Sequence, residues 1–435
     1  MWSRLVSLFK HKEVRERVIF TLGILLIFKL GAAITVPGAT VIEDNQLIGS
    51  DIWSLMNLLG GGALEQFSIF ALGVSPYITS SIVIELLSMG VLPKLEELKK
   101  EGAKGRQKLQ TATRALTILL SAVQGYGILV TMQNEGVIRP VTDVWTIVYI
   151  VTILVSGTAF IMWLADQITA KGVGNGVSMI IFAGIVSSVP RTFVMAYNEY
   201  IGNNLSTGAQ AVFTGILQFA LYAICFLAII VFVTFIERAE RKIPIQYAGS
   251  GSSSRAQSAT YLPIKVNSAG VIPVIFASAV MTAPATIIAM IGLDDSNEVV
   301  RVLNNIFSMQ TTYGMGLYLL LIFVFAFFYS NMQIDPYKIT ENFSKSGAYI
   351  PGIRPGKETS TYISRVLNRI TITGALYLCI IAALPTIILL IWPTMNPYIA
   401  NSLGGTGLII MIGVAIETSV QIEGIMASKE YKGFI

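Results

Sequence analysis

The sequence predicts an all-α polytopic membrane protein of ten spanning helices, and three observations predict it. Of 435 residues, 54% are hydrophobic and only 13% are charged, about half the charged share of a soluble domain. Apolar runs of about 20 residues, each long enough to cross roughly 30 Å of hydrocarbon as a helix, recur along the whole chain. Lys and Arg gather in alternate connections between those runs, as a fixed orientation across a membrane requires.

The first run, residues 18–36, follows the basic stretch FKHKEVRER and carries no small-residue cleavage site, so it reads as a retained first span. Runs at 73–92, 112–132, 145–164 and 176–189 with its flanks complete a first set of five. A second five follows at 211–235, 269–291, 315–333, 370–392 and 406–426. The N-terminus, the connections after spans 2, 4, 6 and 8, and the C-terminal tail hold 25 of the 30 Lys and Arg, against 3 in the other five connections. Both termini are therefore expected in the cytoplasm. The organisation that follows is a cytoplasmic segment 1–17, a half 18–200, a half 201–426 and a cytoplasmic tail 427–435.

Three connections stand out. Segments 237–267 and 336–369 are each about 30 residues long and basic, more than a helix connection needs; they serve either as topology signals that attract anionic lipid or as a docking surface for an acidic partner. Segment 37–73 has no Lys or Arg, four acids (Glu43, Asp44, Asp51, Glu65), and the apolar stretch IWSLMNLL broken by Gly60, Gly61 and Gly62. Eight apolar residues cannot span a bilayer. Such a segment lies on the surface or folds back where protein or a water-filled cavity surrounds it.

Catalytic constellations are missing. The two cysteines, Cys225 and Cys379, lie in separate apolar runs and the single histidine, His11, in the basic start, so a disulfide framework, a thiolate or imidazole metal site, and any resident cofactor are not expected. Ionisable residues deep inside the spans are Lys29, Glu85 and Glu417, with Arg114 near an end, and none is accompanied by a sequence-adjacent acid, base or nucleophile pair. GIRPGKET lacks the full spacing of a phosphate loop. GVGNGVS (172–178) leads from a turn straight into span 5 without a βαβ context, so its glycines are read as close packing or a tight turn.

More specific are GGALEQFSIFALGVSPYITSSIVIELL (61–87), QITAKGVGNGVSMIIFAGI (167–185), YLPIKVNSAGVIPVIFASA (261–279), YIPGIRPGKET (349–359) and GGTGLIIMIGVAIETSVQIEGIMASKEYKGF (404–434). In this order and spacing they closely resemble the SecY family, the channel subunits of the bacterial protein translocon. The resemblance implies two inverted five-helix halves around a central pore, a type of repeat common in membrane transport proteins. It implies an apolar constriction at Ile78 and Ile82 in span 2, Ile181 and Ile185 in span 5, Val271 and Ile275 in span 7, and Ile410 in span 10. An aliphatic collar suits such a pore: it binds no passing side chain strongly and resists leakage by dewetting.

The resemblance also places a plug at about 53–70, including Trp53, Leu55, Leu58, Gly60, Gly61, Gly62 and Leu64, expected as a helix made marginal by its glycines. It implies a lateral gate between spans 2 and 3 and spans 7 and 8, where Ser81 and Gln124 are candidate polar contacts. Arg354, Arg255 and Lys357 are candidates for partner docking. Implied partners are the small membrane subunits SecE and SecG, the SecA ATPase, the ribosome, signal peptides and preproteins, and the lipid bilayer; the implied location is the bacterial plasma membrane. Two departures stand out: the tip of the loop between spans 6 and 7 reads GSGSSSRAQ (249–257), with Arg255 its only charge, and Glu85 stands where family members often carry Gln.

Two other readings fit parts of the chain. A secondary transporter also suits ten helices in inverted halves, but it would place charged or polar groups at the midplane, where Ile and Val stand here. An intramembrane enzyme lacks its residues.

Overall fold

The computed structural model describes residues 11–40, 60–64, 66–88, 92–134, 136–202, 209–247, 260–291, 298–309, 311–392 and 395–430. Each expected span falls on a helix. In chain order the elements are α1 (Lys12–Ala32), α2 (Ser75–Leu86), α3 (Pro93–Lys100), α4 (Ala103–Asn134), α5 (Val144–Lys171), α6 (Gly176–Tyr200) and α7 (Ala209–Glu237). There follow β1 (Glu240–Tyr247), β2 (Thr260–Lys265), α8 (Ile272–Ile291), α9 (Glu298–Phe307), α10 (Thr312–Gln333), α11 (Pro336–Ser346), β3 (Ala348–Tyr349), α12 (Lys357–Ile391), α13 (Pro397–Ser402) and α14 (Gly405–Glu430).

Among the described residues, α4, α5, α6, α7, α10, α12 and α14 are long and apolar enough to cross a membrane. The other three expected spans fall short for separate reasons. In α1 the charged residues Lys12 to Arg17 occupy its first turns, yet its buried positions Val14, Thr21, Ile24, Phe28 and Gly31 form one stripe, as a helix with a single packed face requires. Helix α8 is 20 residues long and carries Pro284 inside it, and among the described residues its apolar stretch covers Ile272–Pro284. Helix α2 is only 12 residues long, shorter than the expected run 73–92. Pro76 in its first turn sets its start, and its end relaxes through a wide turn in which Leu92 N–H donates to Leu87 O (3.0 Å) before Pro93 opens α3.

The turn 172–175 shows why its glycines are needed. A Cβ on Gly176 would lie 1.8 Å from Ala165 O, and Gly174 has φ +83°. Asn175 caps α6 by accepting from Val177 N and Ser178 N. Asp143 caps α5 in the same way, and the Thr146 hydroxyl and amide that donate to it hold its carboxyl below the usual range.

Two apolar cores lie side by side. One draws Ile24, Phe28, Ile161, Ile168, Ile180 and Ile181 from α1, α5 and α6; the other draws Val233, Met281, Ile322, Leu378 and Ile381 from α7, α8, α10 and α12. Helix α14 belongs to both: Ile410 enters the first, Ile409 and Ile412 the second.

The two long basic segments are not structureless loops. β1 pairs antiparallel with β2 from Glu240↔Lys265 to Ile245↔Thr260, and with β3 through Gln246↔Tyr349. The three-stranded sheet, in the order β2-β1-β3, joins α11 and the first turns of α12 over a core of Ile243, Ile264, Ile350, Ile363 and Leu367.

Candidate pore and gate

Six residues of the expected constriction share one apolar cluster. Ile181, Ile185 and Ile410 are buried in it, and Ile78, Val271 and Ile275 pack against it half-buried. They come from α2, α6, α14, α8 and the turn before α8. Ile82 is not among them. It packs one turn further along α2 against Ala269, Phe276 and Tyr329, together with Leu86, Phe325 and Met332.

The end of segment 37–73 packs into the cluster that holds the collar residues. Ala63 is fully buried in the same cluster, with Phe70 and Val74. Gly61, at φ +68°, lies so close to α6 that a Cβ would sit 2.8 Å from Gly184 Cα; only glycine fits there on both counts. The Lys29 ammonium of α1 donates to Gly61 O at 2.7 Å. Downstream, Val36 N–H donates to Phe67 O and Ile69 N–H to Ile34 O, both at 3.0 Å. The Phe70 ring stacks between Phe28 and Phe160.

Residues 60–64 and 66–74 form turns and carry no helix, so the described part of the expected plug differs from the helix read from the sequence: three consecutive glycines favour tight approach over helical hydrogen bonding. Gly60 and Leu64 are buried here, while Trp53, Leu55 and Leu58 lie outside the described residues.

Helices α2 and α4 meet α8, and α2 also meets α10 through the cluster holding Ile82. Across this seam the Tyr329 hydroxyl donates to Glu85 Oε2 at 2.8 Å. Ser81 is half-buried on α2, and Gln124 Oε1 is buried on α4 without a hydrogen-bond partner. The Tyr329 contact was missed in the sequence because one tyrosine in FAFFYSN reads as ordinary packing. Its only signal was Glu85 itself, an acid inside a span that had to meet a donor.

The other span ionisables have simple settings. Arg114 bridges to Asp166 of α5 at 2.7 Å, and Glu417 is exposed. Arg354 is exposed in the turn between β3 and α12, where Gly352 (φ +81°) and Gly356 (φ +101°) bend the chain. The Thr359 hydroxyl donates to Arg354 O at 2.8 Å and fixes that turn. Lys357 is exposed at the start of α12, and Arg255 lies outside the described residues.

A multi-pass helical bundle whose aliphatic cluster also takes in the end of the segment between its first two spans has the build of a membrane channel. The chain belongs to the SecY family, whose model matches residues 68–419. It is 43% identical to protein translocase subunit SecY 1 of Lactobacillus kefiranofaciens subsp. kefiranofaciens over 439 residues, and 43% identical to protein translocase subunit SecY of Bacillus subtilis (strain 168) over 442 residues. Both alignments span all of each chain. Its fold is similar to a solved protein conducting channel, with TM-score 0.68 at 17% identity over 94% of this chain and 91% of the other. It is also similar to Sec61 in the canine ribosome-channel complex from the endoplasmic reticulum, with TM-score 0.65 at 17% identity over 94% and 91%.

Proposed function

We infer that this protein is the channel subunit of a protein translocase, passing unfolded secretory precursors across the membrane and releasing apolar segments sideways into lipid. The observation that carries the reading is the collar of Ile78, Ile181, Ile185, Val271, Ile275 and Ile410, with Ala63 of segment 37–73 packed into the same cluster. A ring of branched aliphatics closes around any chain and offers no fixed charge to hold ions or substrate. Ile82, Ser81 and Gln124 belong to the seam between α2, α4 and α8, α10, which serves as the lateral gate. Segment 53–70 is the plug.

The working units are the halves 18–200 and 201–426. The asymmetry of Lys and Arg supports cytoplasmic termini in a bacterial plasma membrane, which puts the sheet platform with Arg354, Lys357 and Arg255 on the cytoplasmic face. That platform docks a SecA-type ATPase or the ribosome, and SecE- and SecG-type subunits complete the assembly. The chain performs no chemistry; force comes from its partner, and neither cofactor nor metal is needed.

The test is ATP-dependent uptake of a secretory precursor by vesicles holding this protein with its small subunits and motor. Uptake is expected, whereas a solute transporter would show none. Arg354→Glu should abolish it while folding and resting conductance stay intact, because the planar guanidinium suits bidentate contact with a carboxylate or phosphate. Normal uptake by that variant with both motor and ribosome removes the docking role.

A further inference from the structure

The dipeptide Tyr329-Ser330 on α10 faces two ways. Ser330, fully buried, bonds Ser268 Oγ at 2.8 Å and Thr371 Oγ1 at 2.7 Å. That chain of hydroxyls fastens α10 to α12 and to the turn before α8, all within the last five spans. Tyr329 bonds Glu85 of α2, in the first five. Around it lies a small cluster: Phe276 sits edge-on to Tyr329 (5.6 Å between ring centres), and Ile82 and Leu86 close the cluster from α2. If the two halves part here, the boundary falls between neighbouring residues, with Ser330 staying fixed to its own half and Tyr329 losing its partner.

We propose that Tyr329 and Glu85 form a clasp that sets how strong a targeting segment must be to open the lateral gate. The proposal rests on the channel reading. A half-buried hydrogen bond to a carboxylate is among the stronger polar contacts, and the apolar core of a targeting segment must replace both that bond and the small aromatic cluster by its own packing. A weak segment supplies too little.

Two measurements test this. Vesicles holding the full translocon are given a precursor with an intact signal segment and one whose apolar core is interrupted. Tyr329→Phe and Glu85→Leu should each raise uptake of the defective precursor relative to the intact one by about tenfold, the factor that one lost hydrogen bond represents. Glu85→Gln, which keeps an acceptor, should raise it less. The double variant Tyr329→Phe with Glu85→Leu should do no more than either single change, since both remove one bond. Additive effects, or an unchanged ratio with only a loss of folding yield, would overturn the clasp.

The second measurement needs no transport. Spin labels on α2 and α10 should report longer separations in Tyr329→Phe than in the parent without any precursor. Unchanged separations overturn the clasp. Failure of the parent to import even the intact precursor would instead overturn the channel reading.

Discussion

Along one side of the molecule, α2 meets α8 and α10 through a small cluster and the Tyr329–Glu85 bond, while α4 also packs along α8. Along the other, α6 meets α7 and α14 through an interface built of aromatic rings. There Phe193 packs edge-on against Tyr222 and Phe226, with ring centres 5.4 and 5.1 Å apart, and Tyr197 against Phe219 at 6.1 Å. Tyr222 and Phe226 are buried with Ile399, Leu403 and Leu408. Gly174 N–H also donates to Gln421 Oε1 of α14 at 3.0 Å. Aromatic packing of this kind is stable over small displacements because many weak contacts share the load, whereas a seam centred on one directional bond opens once that bond breaks. On the channel reading we expect the first side to open as a mouth and the second to act as a hinge.

The largest expected effect lies on the hinge side. Phe226→Ala should cost about 3 kcal/mol of stability, the range for truncating a buried aromatic, read as a lowered unfolding midpoint. Precursor selectivity should stay at its parent value, and a selectivity change there would break the contrast between the two sides.

Next comes the collar against the mouth. Ile410→Asn hydrates the seal and should raise resting ion conductance several-fold. Ile82→Asn should instead admit defective precursors, because Ile82 packs at the seam and not with the six collar residues. Equal conductance changes in both variants would merge the two clusters into one functional ring.

The smallest effect is expected from Lys29→Met. It removes the bond to Gly61 O but leaves Ala63 and the Gly61–Gly184 approach in place. Resting conductance should rise by a factor of about two to three, below the collar effect, because a charge-assisted hydrogen bond is lost while apolar seating remains. A larger rise than Ile410→Asn produces would make the ammonium the main fastening of segment 37–73.

How much of this was legible depends on the length scale of each feature. Ten spans could be read because each repeats an apolar signal over about 20 residues. The shortness of α2 could not, since Leu86, Leu87, Val91 and Leu92 continue the apolar run beyond the turn that ends the helix. The strands were hidden in a basic segment, although KIPIQY alternates and both Ile243 and Ile245 are buried. The collar positions were found by family resemblance, and i,i+4 spacing placed Ile78 and Ile82 on one face. What spacing cannot tell is that one face of a short helix crosses from the collar cluster to the seam cluster within a single turn. The Lys29–Gly61 and Tyr329–Glu85 contacts join residues 32 and 244 positions apart, and no local pattern announces such pairs.

Helix α12 runs for 35 residues, with Pro385 inside its last two turns, about 50 Å at 1.5 Å per residue. One end is gripped by the sheet platform through Ile363 and Leu367. The other lies among the hinge residues, where Ile388, Leu389 and Trp392 pack and the Trp392 ring approaches Tyr200 at 6.1 Å. On the channel reading, a push on the platform would reach the aromatic contacts along this one helix, and Pro385, which removes a helical hydrogen bond, marks where it would bend on the way.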